Sequence, residues 1–284
     1  MLFDKFSARS LQFANHMVMA PMTRSRATPD HTPDALMATY YGQRATAGLI
    51  ITEGTSPSPN GLGYPRIPGL YDAAQVDGWK ATTAAVHAQG GKIFVQLMHC
   101  GRVAHVANLP EGAEVLGPGT LACPGEMYTD TLGMQPYSLP RPMIEADIAD
   151  AVKEHVTAAK LALDAGFDGV ELHGANGYLI EQFLNPLVNL RTDGYGGSID
   201  ARNRLALEIA RATVSAIGRG ALCGCMPSVS VNISPGHTCA LGPSTSAPAG
   251  RFATCATRPQ CINCTKILPP CACTAAVVAF QAST

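Results

Sequence analysis

The sequence predicts an α/β protein built on a parallel sheet, either a TIM (β/α)8 barrel or an open doubly wound sheet. Three observations carry this. Up to residue 218, short apolar runs alternate with longer amphipathic runs four times. The apolar runs are nearly continuous, as in strands buried on both faces. Polar residues stand at or just beyond the C-terminal ends of these runs: Thr23, Glu53, Gln96, His99 and His173. A barrel would gather them at one mouth, where such enzymes place their sites. No G-x-G-x-x-G opens the first helix, which counts against the doubly wound sheet.

The elements follow in chain order. "HMVMAP" (16–21) is a short buried strand stopped by Pro. "PDALMATYYGQRATAG" starts with Pro and ends at Gly48, a helix with both boundary signals. "LIITEG" is the second strand, rich in β-branched residues. "DAAQVDGWKATTAAVHAQGG" is an amphipathic helix with Val76, Trp79, Thr83 and Val86 near one face. "KIFVQLMH" is the third strand. Residues 101–142 hold many Gly, Pro and Thr and no helical pattern, so they form a long covering or functional excursion. A long helix begins near Glu145, "FDGVELH" is the fourth strand, and residues 199–217 form the fourth helix.

Composition narrows the class. A chain of 284 residues makes one large domain or two small ones. A net charge of −1 gives no electrostatic pull toward nucleic acid. No apolar run reaches the ~20 residues of a membrane-spanning helix. The opening "MLFDKFSARSLQF" lacks the basic-then-apolar pattern of a secretory signal, so a cytoplasmic protein is expected.

The chemistry concentrates in "HGANGYLIEQFLNPLVNLRTDGYGGS" (173–198), directly after the fourth strand. His173 and Asn176 each offer an N–H donor. Two donors aimed at one oxygen polarise a carbonyl or nitro group and make the β-carbon of a conjugated alkene electrophilic. Tyr178, a phenol with a reference pKa of about 10, is then a proton donor at neutral pH. A single histidine at a strand end is usually structural; the H-x-x-N-x-Y set at the expected face favours chemistry. "RTDGYGG" reads structurally instead, with Arg191 and Asp193 tying the loop and Gly196-Gly197 giving it backbone freedom.

This segment, with "MAPMTRSRA", "YYGQRATAGLIITEGT" and "VHAQGGKIFVQLMHCGR", resembles the Old Yellow Enzyme family of FMN-dependent ene-reductases, in order and spacing, over residues 1–218. The resemblance implies a TIM barrel of which about the first four βα units are recognisable. It implies FMN as cofactor, NADH or NADPH as reductant, and a small activated alkene (an enone, maleimide or nitroalkene) as substrate. Pro21, Met22, Thr23, Gly54, Gln96 and His173 would line the flavin. His173 and Asn176 would hold the activating oxygen, and Tyr178 would supply the proton. Tyr64 and Met98 would line the substrate pocket, Met98 replacing a bulkier aromatic common among relatives. Leu190 replaces a residue that is usually polar. A dienoyl-thioester reductase is the lesser alternative, since that group adds an iron–sulfur site and a further domain.

The pattern changes at Arg219. Residues 219–284 hold eight of the ten cysteines, seven prolines and none of the 21 acidic residues. The resemblance implies a strand-five G-[IV]-R-x-S-P and later phosphate-binding loops. Here "VNISP" is only an echo of the first, and the tail reads as irregular. Cys261, Cys264, Cys271 and Cys273 form C-x2-C-x6-C-x-C, which could bind zinc, although the second pair has only one intervening residue. A four-unit fragment would leave open strand edges and would hold FMN poorly or not at all, as an inactive fragment. A shifted reading frame from about codon 218 accounts for the missing acids and the excess Cys and Pro together. This reading predicts a strand-five G-x-R-x-S-P in one of the other two frames; the coding nucleotide sequence checks it, and its absence from both frames rejects it.

Overall fold

The computed structural model describes residues 1–8 and 11–218, and the backbone of 222–225. Its centre is a parallel sheet of five strands that neighbour one another in chain order. These are β3 (Val18–Met19), β4 (Leu49–Thr55), β5 (Ile93–Leu97), β10 (Gly169–His173) and β11 (Leu222–Cys225). Helices α1 (Ala35–Gly42), α2 (Ala73–His87), α3 (Glu145–Asp164) and α5 (Ile199–Ile217) fill the crossovers between them. This is part of a βα barrel, with one strand more than the sequence pattern resolves. The edge of β10, expected to be open, is paired from Val170↔Leu222 to His173↔Cys225. The zinc reading at Cys261, Cys264, Cys271 and Cys273, the echo at 231–235 and the irregular tail fall outside the described residues.

Short polar side chains start the helices. Asp34 accepts from Met37 N at 3.1 Å, Asp72 from Gln75 N at 2.8 Å and Ser198 from Ala201 N at 3.2 Å. Each satisfies a backbone donor that a first helical turn leaves unpaired. The first helix, capped by Asp34, runs from Ala35 to Gly42 and stops well short of Gly48. α3 starts differently. Ile144 donates its N–H to Asp147 Oδ2 at 2.7 Å, and Arg141 holds the same carboxylate. The sequence reading also did not resolve the hairpin β1 (Phe6–Ala8) and β2 (Leu11–Phe13) or the short helix α4 (Leu179–Leu184).

The strands bury both faces. Outward residues such as Ile50, Val95, Leu97 and Val170 pack with Trp79, Ala158, Ala162 and Ile209 of the helices. Inward residues Leu49, Ile51 and Phe94 form a second cluster, closed by Phe13 of the N-terminal hairpin. At the same end, Asp168 accepts from Ile93 N (3.0 Å) and pairs with Lys92 (2.7 Å) and His87 (2.8 Å), joining α2, β5 and the start of β10. The excursion 101–142 lacks α-helix. It contributes the ladders β6 (Leu116–Gly117) with β9 (Arg141–Pro142) and β7 (Glu126–Thr129) with β8 (Gly133–Pro136). No helix among the described residues is long and apolar enough to cross a membrane.

Trp79 shows how much a single helix face carries. It is fully buried, meets Phe167 edge-on at 5.2 Å, and donates its indole N–H to Gly69 O at 3.1 Å. Replacement by Ala should destabilise the chain by about 3–5 kcal/mol. Urea unfolding followed by circular dichroism reads this, because the variant lacks the chain's one tryptophan; a loss below ~1 kcal/mol would contradict the packing described.

Candidate active site

The C-terminal ends of β3, β4, β5 and β10 surround a cavity of about 260 Å³. Its walls are Ala20, Pro21, Thr23, Gly54, Gln96, Met98, Glu171, His173, Asn176 and Tyr178. Strand register explains the set. Gln96 lies opposite Gly54 on one side and Glu171 on the other, so these three form one row across the sheet. Two residues further on, Met98 and His173 form the rim, because alternate side chains of a strand share a face.

The same alternation removes two residues that stand near the strand ends in sequence. His99 is turned away: it is buried, stacks on His155 at 6.4 Å, and accepts from Gly101 N at 3.1 Å through Nδ1. Glu53 is turned away for a different reason. β4 pairs Ile51 with Phe94 but Gly54 with Gln96, so three steps on one strand match two on the other. This bulge inverts the facing beyond Ile51. It points Gly54 into the cavity and sends Glu53 to Arg24 N (2.9 Å) and Tyr41 Oη (3.2 Å). Burial raises the Glu53 pKa there.

Of the residues singled out from sequence, Pro21, Thr23, Gly54, Gln96, Met98, His173, Asn176 and Tyr178 meet at the cavity. Met22 is half-buried beside them and is not among the lining residues. Tyr64 is not a lining residue either, but its Oη accepts from Tyr178 Oη at 3.1 Å. Ala20 and Glu171 are additions. Glu171 had a signal: a carboxylate inside the apolar run "FDGVELH", two residues before His173. It is 1% exposed and accepts from Gln96 Nε2 at 2.9 Å. Met98 packs with Leu62, Ile67 and Cys100 above the cavity floor. A Cβ at position 54 would lie 2.5 Å from the Met98 Sδ and Cε, so Gly54 keeps this wall thin beneath Met98.

Local geometry sets the protonation of the donors. His173 Nδ1 accepts from Ala175 N at 3.3 Å, which leaves the ring proton on Nε2. Burial lowers its pKa to about 4, so the ring is neutral at pH 7. Tyr178 meets that ring edge-on at 4.9 Å, and burial, followed by the neighbouring Cys100, raises its phenol pKa to about 12. Burial also raises that of Tyr64 far above the usual phenol range. Asn176 adopts a left-handed backbone (φ 57°), which Asn tolerates better than most side chains. The Arg191–Asp193 pair belongs to the scaffold: it closes its own loop through Nε to Oδ1 (3.0 Å) and reaches Met143 O at 2.6 Å.

These buried imidazoles make stability pH-dependent. Burial lowers His173 and His155 to about 4 and His99 to about 3. Below the ordinary imidazole pKa of about 6.5 the unfolded chain takes up protons that the folded chain does not. Stability is therefore retained above pH ~6.5 and falls as the pH drops from ~6.5 toward the folded values, each ring contributing up to about 1.4 kcal/mol per pH unit. Urea midpoints between pH 7.5 and 5 should fall accordingly, and midpoints that stay level would refute it.

Known proteins resemble this chain in both sequence and fold. The sequence model of the NADH:flavin oxidoreductase / NADH oxidase family matches residues 1–256, beyond the point where the motif resemblance stops. A probable flavin mononucleotide-dependent alkene reductase of Leishmania infantum is 44% identical over 210 residues, 72% of this chain and 58% of that protein. The 12-oxophytodienoate reductase 7 of Oryza sativa subsp. japonica is 42% identical over 220 residues, 76% of this chain and 56% of that protein. Among solved structures, the Old Yellow Enzyme homologue of Zymomonas mobilis superposes with a TM-score of 0.76 at 41% identity, covering 78% of this chain and 62% of that one. Morphinone reductase gives 0.75 at 43% identity, covering 78% and 61%. The chain thus spans less than two thirds of the length of these relatives. With its partial βα barrel, its motif order and these identities, the chain belongs to the Old Yellow Enzyme family of NADH:flavin oxidoreductases.

Proposed function

We propose that the chain is an FMN-dependent ene-reductase that reduces the activated C=C bond of enones, maleimides or nitroalkenes at the expense of NADH or NADPH. The observation that carries this reading is the pairing of a neutral, Nε2-protonated His173 with Asn176 and Tyr178 on one cavity. The walls fit a flat ring with a polar edge. Gln96 offers a carboxamide and Thr23 a hydroxyl, while Gly54 adds no side chain beneath Met98. Pro21, Thr23, Gly54, Gln96 and His173 would hold FMN, with the half-buried Met22 between Pro21 and Thr23 in the chain. FMN, when bound, supplies the hydride chemistry.

The remaining work falls to side chains. His173 Nε2–H and the Asn176 carboxamide bind and polarise the substrate oxygen, favouring the charge that grows on it. Neutrality matters here, because a neutral imidazole keeps its ring proton while donating. Tyr178 gives its phenolic proton to the α-carbon. Tyr64, in hydrogen-bond contact with Tyr178, is placed to stabilise the phenolate by reversing that bond's direction. Met98, packed with Leu62, Ile67 and Cys100, would limit the space left for the substrate from the β5 side.

The test is turnover of 2-cyclohexenone with NADPH and FMN added in excess. Replacing His173 and Asn176 together by Ala should lower the rate at least ~100-fold, the scale of losing an oxyanion donor. Tyr178→Phe should slow alkene reduction by about 100-fold or more while reduction of the flavin by NADPH continues. A chain that binds no FMN at saturating cofactor, or a His173/Asn176 variant with unchanged turnover, would overturn the proposal and favour an inert fragment.

A further inference from the structure

Gln182 lies in α4, one turn beyond the H-x-x-N-x-Y segment, and is 1% exposed. Its carboxamide engages three backbone groups. Nε2 donates to Gly177 O at 2.7 Å and to Cys100 O at 3.0 Å, and Oε1 accepts from Arg102 N at 3.2 Å. Carbonyls only accept and a backbone N–H only donates, so one orientation of the amide satisfies all three. These partners belong to two separate loops. Cys100 and Arg102 follow β5, just past Met98, and Gly177 sits between Asn176 and Tyr178.

The turn being held is conformationally open. Asn176 (φ 57°) and Gly177 (φ 79°) are consecutive left-handed residues, and glycine leaves that region at little cost. The peptide units flanking Gly177 are gripped from both sides, since Gly177 N donates to Glu181 Oε2 at 2.6 Å while its carbonyl meets Gln182. On the other loop, Gly101 also has positive φ (59°), and a Cβ there would lie 2.3 Å from Gln182 Oε1. A side chain at 101 would displace the Gln182 carboxamide from its three partners.

We propose that Gln182 is a positioning residue: its carboxamide clamps the turn bearing Asn176 and Tyr178 to the loop after β5 and thereby sets where the amide donor and the phenol stand over the cavity. The clamp stands on geometry alone, whereas its consequence for turnover rests on the function proposed above. Gln182→Met removes all three bonds at similar size; Gln182→Glu keeps the acceptor for Arg102 and loses both donors.

Two measurements decide the matter. In the full chain, hydrogen exchange should quicken about fivefold or more in segments 100–104 and 174–179 of both variants, with α3 and α5 unchanged. Exchange that is unaltered, or that rises equally throughout the chain, overturns the clamp. In the FMN-loaded chain, Gln182→Met should slow enone reduction about tenfold or more. That loss should shrink below ~threefold in an Asn176→Ala/Tyr178→Phe background, where nothing remains to be placed. Full additivity overturns the positioning role. A parent chain without turnover counts against the ene-reductase reading, and the exchange result still decides the clamp.

Discussion

Parallel pairing of β4, β5 and β10 sets Gly54, Gln96 and Glu171 side by side, and the cavity is built on that row. Each of these strands is buried on both faces, so each must send alternate residues to the helices and to the interior. Interior positions near the strand starts are apolar and are sealed by Phe13. Interior positions near the strand ends are polar or absent, as at Gln96, Glu171 and Gly54. The bulge in β4 is where the two demands meet. It places a residue without a side chain on the wall and gives Glu53 partners on Arg24 and Tyr41, away from the cavity.

The polar groups of the site are kept in a defined state by hydrogen bonds and burial more than by charge pairs. His173 has its tautomer set by Ala175 N, and Gln96 has its amide directed by Glu171. Tyr178 keeps its proton through burial, with the neighbouring Cys100 acting in the same direction. Ion pairs sit mainly elsewhere. Asp168 with Lys92 joins elements at the opposite end of the sheet, and Arg141 with Asp147 and Glu114 secures the start of α3. This division suits electrostatic chemistry, since a fixed dipole in a dry cavity needs no rearrangement when charge develops.

The loops divide the remaining labour. The segment after β4 brings Tyr64 to the rim, the excursion after β5 covers Met98 and Cys100, and the segment after β10 carries the donors. The last two are joined by the Gln182 carboxamide and by the backbone bond from Leu179 N to His99 O at 3.0 Å. The cavity rim is therefore a single hydrogen-bonded assembly, although its parts lie more than seventy residues apart in the chain.

Local pattern alone made much of this legible. The helices at 73–87, 145–164 and 199–217, the strands at 49–55, 93–97 and 169–173, and the residues His173, Asn176 and Tyr178 follow from period, end signals and motif spacing, all of which act over a few residues. Tertiary structure decided the rest. A bulge is a property of two paired strands, so Glu53 could not be assigned to the outside, nor Gly54 to the wall, from β4 by itself. His99 and Glu171 exchange importance because facing depends on register with neighbours. The edge of β10 is covered through pairing with residues 222–225, a contact between segments that local periodicity does not encode. Sequence determined which elements form and which chemistry they bear; only packing across the sheet decided which side chains look at one another.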